Sequence, residues 1–223
     1  PSAGKPRDVA SRIVDYLFAG GDGRIPIIAI TGTNGKTTVS RMIGHIWQSA
    51  GYCVGMTTTD GIYIGARLIM AGDTTGPASA RTVLSDQAVA VAVLETARGG
   101  MQRSGLGFDA CDVGVITNIS EDHLGQDGIE DIEDLVYIKS LLVEMVRPGG
   151  HTLLNADDSY VAALRERARG EVAYFSIESD NLLVRRHLSV GGQAFFVKDG
   201  VICAACGSQW RPIVKVEDVP VTL

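Results

Sequence analysis

Ile27-Ile28-Ala29-Ile30-Thr31-Gly32-Thr33-Asn34-Gly35-Lys36-Thr37-Thr38 decides the fold. An apolar run stops at a glycine-rich loop, the loop ends in Gly-Lys-Thr, and a helical pattern follows. In that layout backbone N–H groups, two glycines without Cβ and a helix N-terminus converge on one small volume, which suits a polyanion. Lys36 would bring a point charge to the β- and γ-phosphates, and the Thr37 hydroxyl would sit on Mg2+. The general phosphate-loop pattern requires glycine five residues before Gly35, where Ile30 stands. The loop here is a shorter form, Gly32-Thr33-Asn34-Gly35-Lys36-Thr37.

Outward from the loop, the pattern alternates between strand and helix. Residues 7–18 have helical spacing, and Gly20-Gly21-Asp22-Gly23 breaks the chain. A strand is expected at 25–31 and its helix at about 36–50. Residues 52–70 read as a short strand and a hairpin. Ser79 is the expected N-cap of a short helix running to about Gln87. Val89-Ala90-Val91-Ala92-Val93-Leu94-Glu95 is unbroken and apolar until its last residue, as in a parallel strand covered on both faces. Asp112–Asn118 repeats that pattern. A long helix is expected from Ile132 to Val146, stopped by Arg147-Pro148-Gly149-Gly150, then a strand at 152–155, a helix to about Ala168 and a strand at 172–177. From Leu182 onward the reading is hairpin strands, at 182–190, 194–197 and 201–205.

The fold class that follows is α/β: a mostly parallel central sheet flanked by helices, with a small β-rich C-terminal subregion. It divides into an N-terminal helix and linker (1–24), a phosphate-loop domain (25–180) and a β-rich extension of that domain (181–223). Ligands of open parallel sheets bind outside the carboxyl ends of the strands. Three such ends carry chemistry: Gly32–Thr37, Glu95 and the stretch Asn118 to His123. Together they offer a lysine, a carboxylate, an amide and an imidazole around one nucleotide. Thr37 and Glu95 provide the oxygen ligands that a hard cation takes.

Composition narrows the function classes. The 223 residues are 45% hydrophobic and 21% charged, with a net charge of −6 and no cationic stripe, which argues against a general nucleic-acid binder. No apolar run reaches the ~20 residues that span a bilayer. Four cysteines, Cys53, Cys111, Cys203 and Cys206, include one C-x-x-C pair inside a strand-like stretch. Without a second pair they read as hairpin residues, reduced as in the cytoplasm. Asp73-Thr74-Thr75-Gly76 matches the D-x-x-G of a GTPase switch, yet no Asn-Lys-x-Asp guanine-reading sequence is present.

Three segments then carry a family resemblance. Thr31–Thr38 resembles the short phosphate loop of the Mur ligase superfamily. Thr117-Asn118-Ile119-Ser120-Glu121-Asp122-His123-Leu124-Gly125 is similar to its T-N-x-x-x-D-H-L segment, and Leu154-Asn155-Ala156-Asp157-Asp158 to its L-N-A-D-D segment. A narrower likeness, to the Mur-ligase-like portion of the cyanophycin synthetase family, rests on Thr57–Ile64, Gly72–Pro77, Glu95–Gly100 and Arg103–Asp109.

The resemblance implies an ATP-dependent ligase that forms an amide through an acyl phosphate. In the narrower family this portion joins arginine to aspartate side chains of a poly-aspartate, and an ATP-grasp portion adds the aspartate. The implied ATP contacts are Gly32, Thr33, Asn34, Gly35, Lys36, Thr37, Thr38, Asn118 and Asn155. Thr37, Glu95 and His123 are the implied Mg2+ ligands. Lys139 is similar in position to a lysine that many Mur ligases carbamylate; read without the family, it is a solvent-facing helix lysine. Thr59, Asp60, Asp73 and Arg98 fall on the substrate side. The implied partners are an amino acid and an acidic peptide or polymer, with a C-terminal ligase domain, and in the narrower family an ATP-grasp domain, outside this sequence. On that reading the chain alone is expected to bind Mg-ATP weakly and not to ligate. An acceptor of peptidoglycan or folylpolyglutamate type, and a non-catalytic nucleotide-binding module, stay open as alternatives. Oligomeric state is open too, homo-oligomers included.

Overall fold

In the computed structural model the described residues are 6–19, 23–121, 125 and 129–219. They build one eleven-stranded sheet with helices on both faces. Helix α1 is Pro6–Leu17, and the loop stretch forms strand β1 (Ile27–Thr31) and helix α2 (Lys36–Ser49). There follow β2 (Val54–Thr57), β3 (Gly61–Ile64), β4 (Arg67–Ala71), α3 (Pro77–Leu84), β5 (Val91–Glu95), α4 (Arg98–Ser104) and β6 (Cys111–Ile116). The second half is α5 (Ile132–Glu144), β7 (Val146–Asn155), α6 (Ser159–Ala163) with a 3-10 turn, β8 (Glu171–Ser176), α7 (Leu182–Ser189), β9 (Gln193–Lys198), β10 (Val201–Cys206) and β11 (Gln209–Lys215).

The spatial order is β11-β10-β9-β8-β7-β6-β1-β5-β2-β3-β4. The seven strands from β9 to β2 are parallel, and an antiparallel pair extends each side. Strand β1 lies between β5 and β6, so the ends of three strands named in the sequence reading sit side by side. Alternation along β1 divides the core. Ile27 and Ala29 enter a large cluster with residues of α3, α4, α5, α6 and α7, while Ile28 and Ile30 enter a smaller one packed against Val39, Ile43 and Trp47 of α2. Burial on both faces is why these strands read as continuous apolar runs. Each outer edge carries an irregular register, opposite Ile62/Tyr63 and Ile202/Cys203. Such bulges discourage pairing with another sheet.

Three expectations need correction, and one helix goes beyond them. Residues 182–190 form helix α7, not a strand. Asn181 accepts from the Leu183 and Val184 N–H groups, a cap, and Val184 and His187 turn inward. The short helix starts earlier than Ser79: Gly76 is its N-cap and Pro77, whose fixed φ suits a first turn, follows. Helix α4 was not anticipated. Strand β7 begins at Val146, so Pro148-Gly149 lies within a strand and only interrupts its inner pairing. The C-terminal part is nonetheless strand-rich, and Cys203 and Cys206 lie in β10 as free thiols.

Candidate active site

The loop after β1 is shaped by its neighbour, not by its own turn chemistry alone. Thr33 N–H donates to Asn118 O at 2.8 Å, and Asn34 N–H to Asn118 Oδ1 at 2.9 Å. Asn118 Nδ2 and Thr117 Oγ1 both donate to Asn34 O, at 3.0 and 2.7 Å. At Gly32, φ is 149° and a Cβ would stand 1.9 Å from Thr117 Oγ1, so no other residue fits. Gly35, at φ 82°, is the N-cap of α2. It turns the chain so that the first-turn N–H groups of α2 face outward from the sheet edge, where anions bind.

Behind the loop, Thr37 Oγ1 donates to Glu95 Oε2 at 2.9 Å and lies 3.0 Å from Thr59 Oγ1, which leaves Thr59 to donate. Glu95 is 1% exposed, and its Oε1 has no hydrogen-bond partner among the described residues. Burial raises its pKa. The Thr37 hydroxyl, the Lys36 charge and the Thr59 backbone N–H oppose that rise, and Asp73 adds to it. A buried carboxylate oxygen without a donor, beside a threonine hydroxyl, is a donor set suited to a hard divalent cation. Mg2+ needs only one or two protein oxygens when phosphates and water supply the rest. No group of three or more His, Cys, Asp or Glu suited to a metal occurs among the described residues.

A cavity of about 280 Å³ opens beside the loop, lined by Gly32, Thr33, Lys36, Asp73, Arg98 and Lys139 among others. Lys36 folds back, donating from Nζ to Thr33 O at 2.8 Å. Lys139 is 3% exposed, which corrects the solvent-facing alternative. It shares the inward stripe of α5 with Leu135, Ile138 and Leu142, at i, i+3, i+4 and i+7 spacing. Three cations and one carboxylate thus line one cavity. Asp73 is held in place, with Oδ1 accepting from Thr75 N–H and Oγ1 at 3.1 and 2.7 Å.

The remaining candidates divide. Thr38 is exposed on α2. Asp60 pairs with Arg41 of the same helix and does not line the cavity. Asn155 Nδ2 donates to Thr117 O at 2.9 Å, so it braces the strand end. His123, with Asp122, lies outside the described residues. The sequence reading missed Thr117 and the second role of Asp158, which caps α6 and also accepts the Ile119 N–H at 2.7 Å.

The Mur ligase middle domain family matches residues 30–203. The chain belongs to the Mur ligase family. It is 48% identical over its whole length to the cyanophycin synthetase of Nostoc sp., of which it spans 25%. A UDP-N-acetylmuramoyl-L-alanyl-D-glutamate–2,6-diaminopimelate ligase of Geobacter sulfurreducens is 31% identical over 79% of the chain and 36% of that protein. The chain therefore spans about a quarter of the length of the cyanophycin synthetases it matches. Among solved structures, this Mur ligase middle domain resembles another such diaminopimelate ligase, with TM-score 0.64 and 20% identity over 91% of the chain and 41% of that one. A folylpolyglutamate synthase/dihydrofolate synthase with Mn, AMPPNP and L-glutamate bound gives 0.61 and 18% over 96% and 55%. These structures share the fold. No helix among the described residues of this Mur ligase domain is long and apolar enough to cross a membrane.

Proposed function

We propose that this domain binds Mg-ATP on the loop 32–37 and serves an ATP-dependent ligase that joins arginine to aspartate side-chain carboxyls of a poly-aspartate. The observation that carries the ATP reading is the buried Glu95 Oε1, left without a donor next to Thr37 and close to Lys36. The arginine and aspartate specificity rests on the 48% identity to a cyanophycin synthetase over the whole chain.

Phosphoryl transfer depends mainly on positioning and charge neutralisation. Lys36 leaves Thr33 O and moves onto the terminal phosphates, while the α2 N–H groups hold the phosphate oxygens. Thr37 and Glu95, with His123, would hold Mg2+, whose charge would offset that of the phosphates. Arg98 presents a cation to the acceptor carboxylate, which takes the γ-phosphoryl group and becomes an acyl phosphate. The amine of arginine attacks that carbonyl carbon, the phosphate leaves with the bonding electron pair, and the nitrogen gives up one proton to solvent. Lys139 in carbamylated form would add an anionic metal ligand.

The test is a product assay on the longer polypeptide that carries this domain, with ATP, arginine and an aspartate polymer. The expected result is ADP, phosphate and arginine in amide linkage in equal amounts, all abolished by Lys36→Ala. Release of AMP and pyrophosphate, or full activity in the Lys36→Ala enzyme, contradicts the reading.

A further inference from the structure

The end of β7 reaches the nucleotide loop through one intermediate strand end. Asp158 Oδ1 accepts the Tyr160 and Val161 N–H groups at 3.0 and 3.1 Å, the cap of α6. Its other oxygen, Oδ2, accepts the Ile119 N–H at 2.7 Å. Ile119 follows Thr117 and Asn118, whose six hydrogen bonds with residues 31–34 define the loop backbone. Asn155 holds the same strand end at Thr117 O. Asp157 points the other way, to Ser176 Oγ at 2.6 Å, Ile177 N–H at 2.8 Å and Asn181 Nδ2 at 2.9 Å. The segment 155–158 thus anchors to β8 and α7 on one side and grips the end of β6 on the other.

We infer that Asp158 is a positioning residue for the ATP loop, acting through Ile119 N–H on Thr117 and Asn118 and through them on Thr33 and Asn34. This rests on the reading that the loop binds Mg-ATP. The loop takes its shape from residues 117–118, because both N–H groups before Gly35 are directed at Asn118. A shift of that strand end moves the loop as a unit. A charged acceptor on a backbone N–H is stronger than a neutral one, so the Ile119 contact is the firm point of the relay.

Asp158→Asn separates this role from capping. Asparagine is an equally good N-cap. With its oxygen on the cap, it turns an N–H group toward Ile119 N–H, and the grip is lost. Binding of Mg2+ with a fluorescent ATP analogue is measured by anisotropy on the chain as it stands. Asp158→Asn and Thr117→Val should each weaken affinity about tenfold, the loss of one firm hydrogen bond. Together they should weaken it by less than the product, because they act on one path. Val184→Ala, a core variant in α7, should lower thermal stability and leave affinity within twofold. In the ligand-free Asp158→Asn protein the Thr33 and Asn34 amide resonances should shift while that of Val184 stays. Affinity within twofold of wild type in Asp158→Asn, or unmoved Thr33 and Asn34 resonances, overturns the inference. Absence of binding by the wild type removes the Mg-ATP reading itself, and the ligand-free resonances then still decide whether Asp158 sets the loop.

Discussion

At the scale of single residues, two positions are constrained by opposite means. Gly32 is fixed by lack of space, since a Cβ would meet Thr117 Oγ1 at 1.9 Å. Gly32→Ala should cost about 1–3 kcal/mol, as overpacking does, read by denaturant unfolding, and should weaken nucleotide binding as the loop moves off Thr117. Glu95 is fixed by chemistry at a cost to stability. Its folded pKa is raised by burial, so the folded state disfavours the ionised form. A raised acid pKa means that stability falls as pH rises above the ordinary 4.5. A carboxyl kept in a buried place despite that cost marks a position where function sets the residue type. The sequence showed both positions as types at spacings: glycine before a Gly-Lys-Thr, carboxylate at a strand end. It did not show Asp158 reaching Ile119, because a contact across 39 residues between two strand ends has no local pattern.

Among the elements, those packed on both faces were the legible ones. Strands β1, β5 and β6 read directly from continuous apolar runs, and α2 from its stripe. Helix α7 is hidden in the sequence because Leu182-Leu183-Val184 is as apolar as a strand, and only its Asn181 cap signals a helix. Its inner face holds His187 between two partners. Nε2 donates to Val172 O at 2.9 Å, and Nδ1 accepts from the Arg165 guanidinium at 3.3 Å, an arrangement that needs the neutral ring. Burial lowers its pKa, the Arg165 charge adds to that, and the Val172 bond opposes it. With the folded pKa below the ordinary 6.5, the unfolded chain takes up the proton first. Stability from this site is therefore full above pH 6.5 and lost as pH falls toward the folded value. Urea unfolding from pH 8 to 5 should show that decline, and His187→Gln should flatten it. An unchanged slope in His187→Gln would place the pH dependence elsewhere.

Across the whole molecule, seven parallel strands put the loop, Glu95 and the Thr117–Ile119 strand end on one edge of one sheet. Lys36, Arg98, Lys139 and Asp73 then share a cavity there. This convergence was legible, since parallel strands place their carboxyl ends together. The inward position of Lys139 was not, because a lysine within an amphipathic stripe reads equally as its solvent edge. Function at this edge requires Mg2+-dependent ATP binding. The most direct measurement is calorimetric titration of ATP into the chain, with and without Mg2+, for wild type and Glu95→Gln. Wild type should bind ATP saturably and more tightly with Mg2+. Glu95→Gln should lose that Mg2+ dependence while melting a few degrees higher, freed of a carboxyl whose ionisation burial disfavours. Equal affinity with and without Mg2+ in the wild type, or an unchanged Mg2+ dependence in Glu95→Gln, would contradict it.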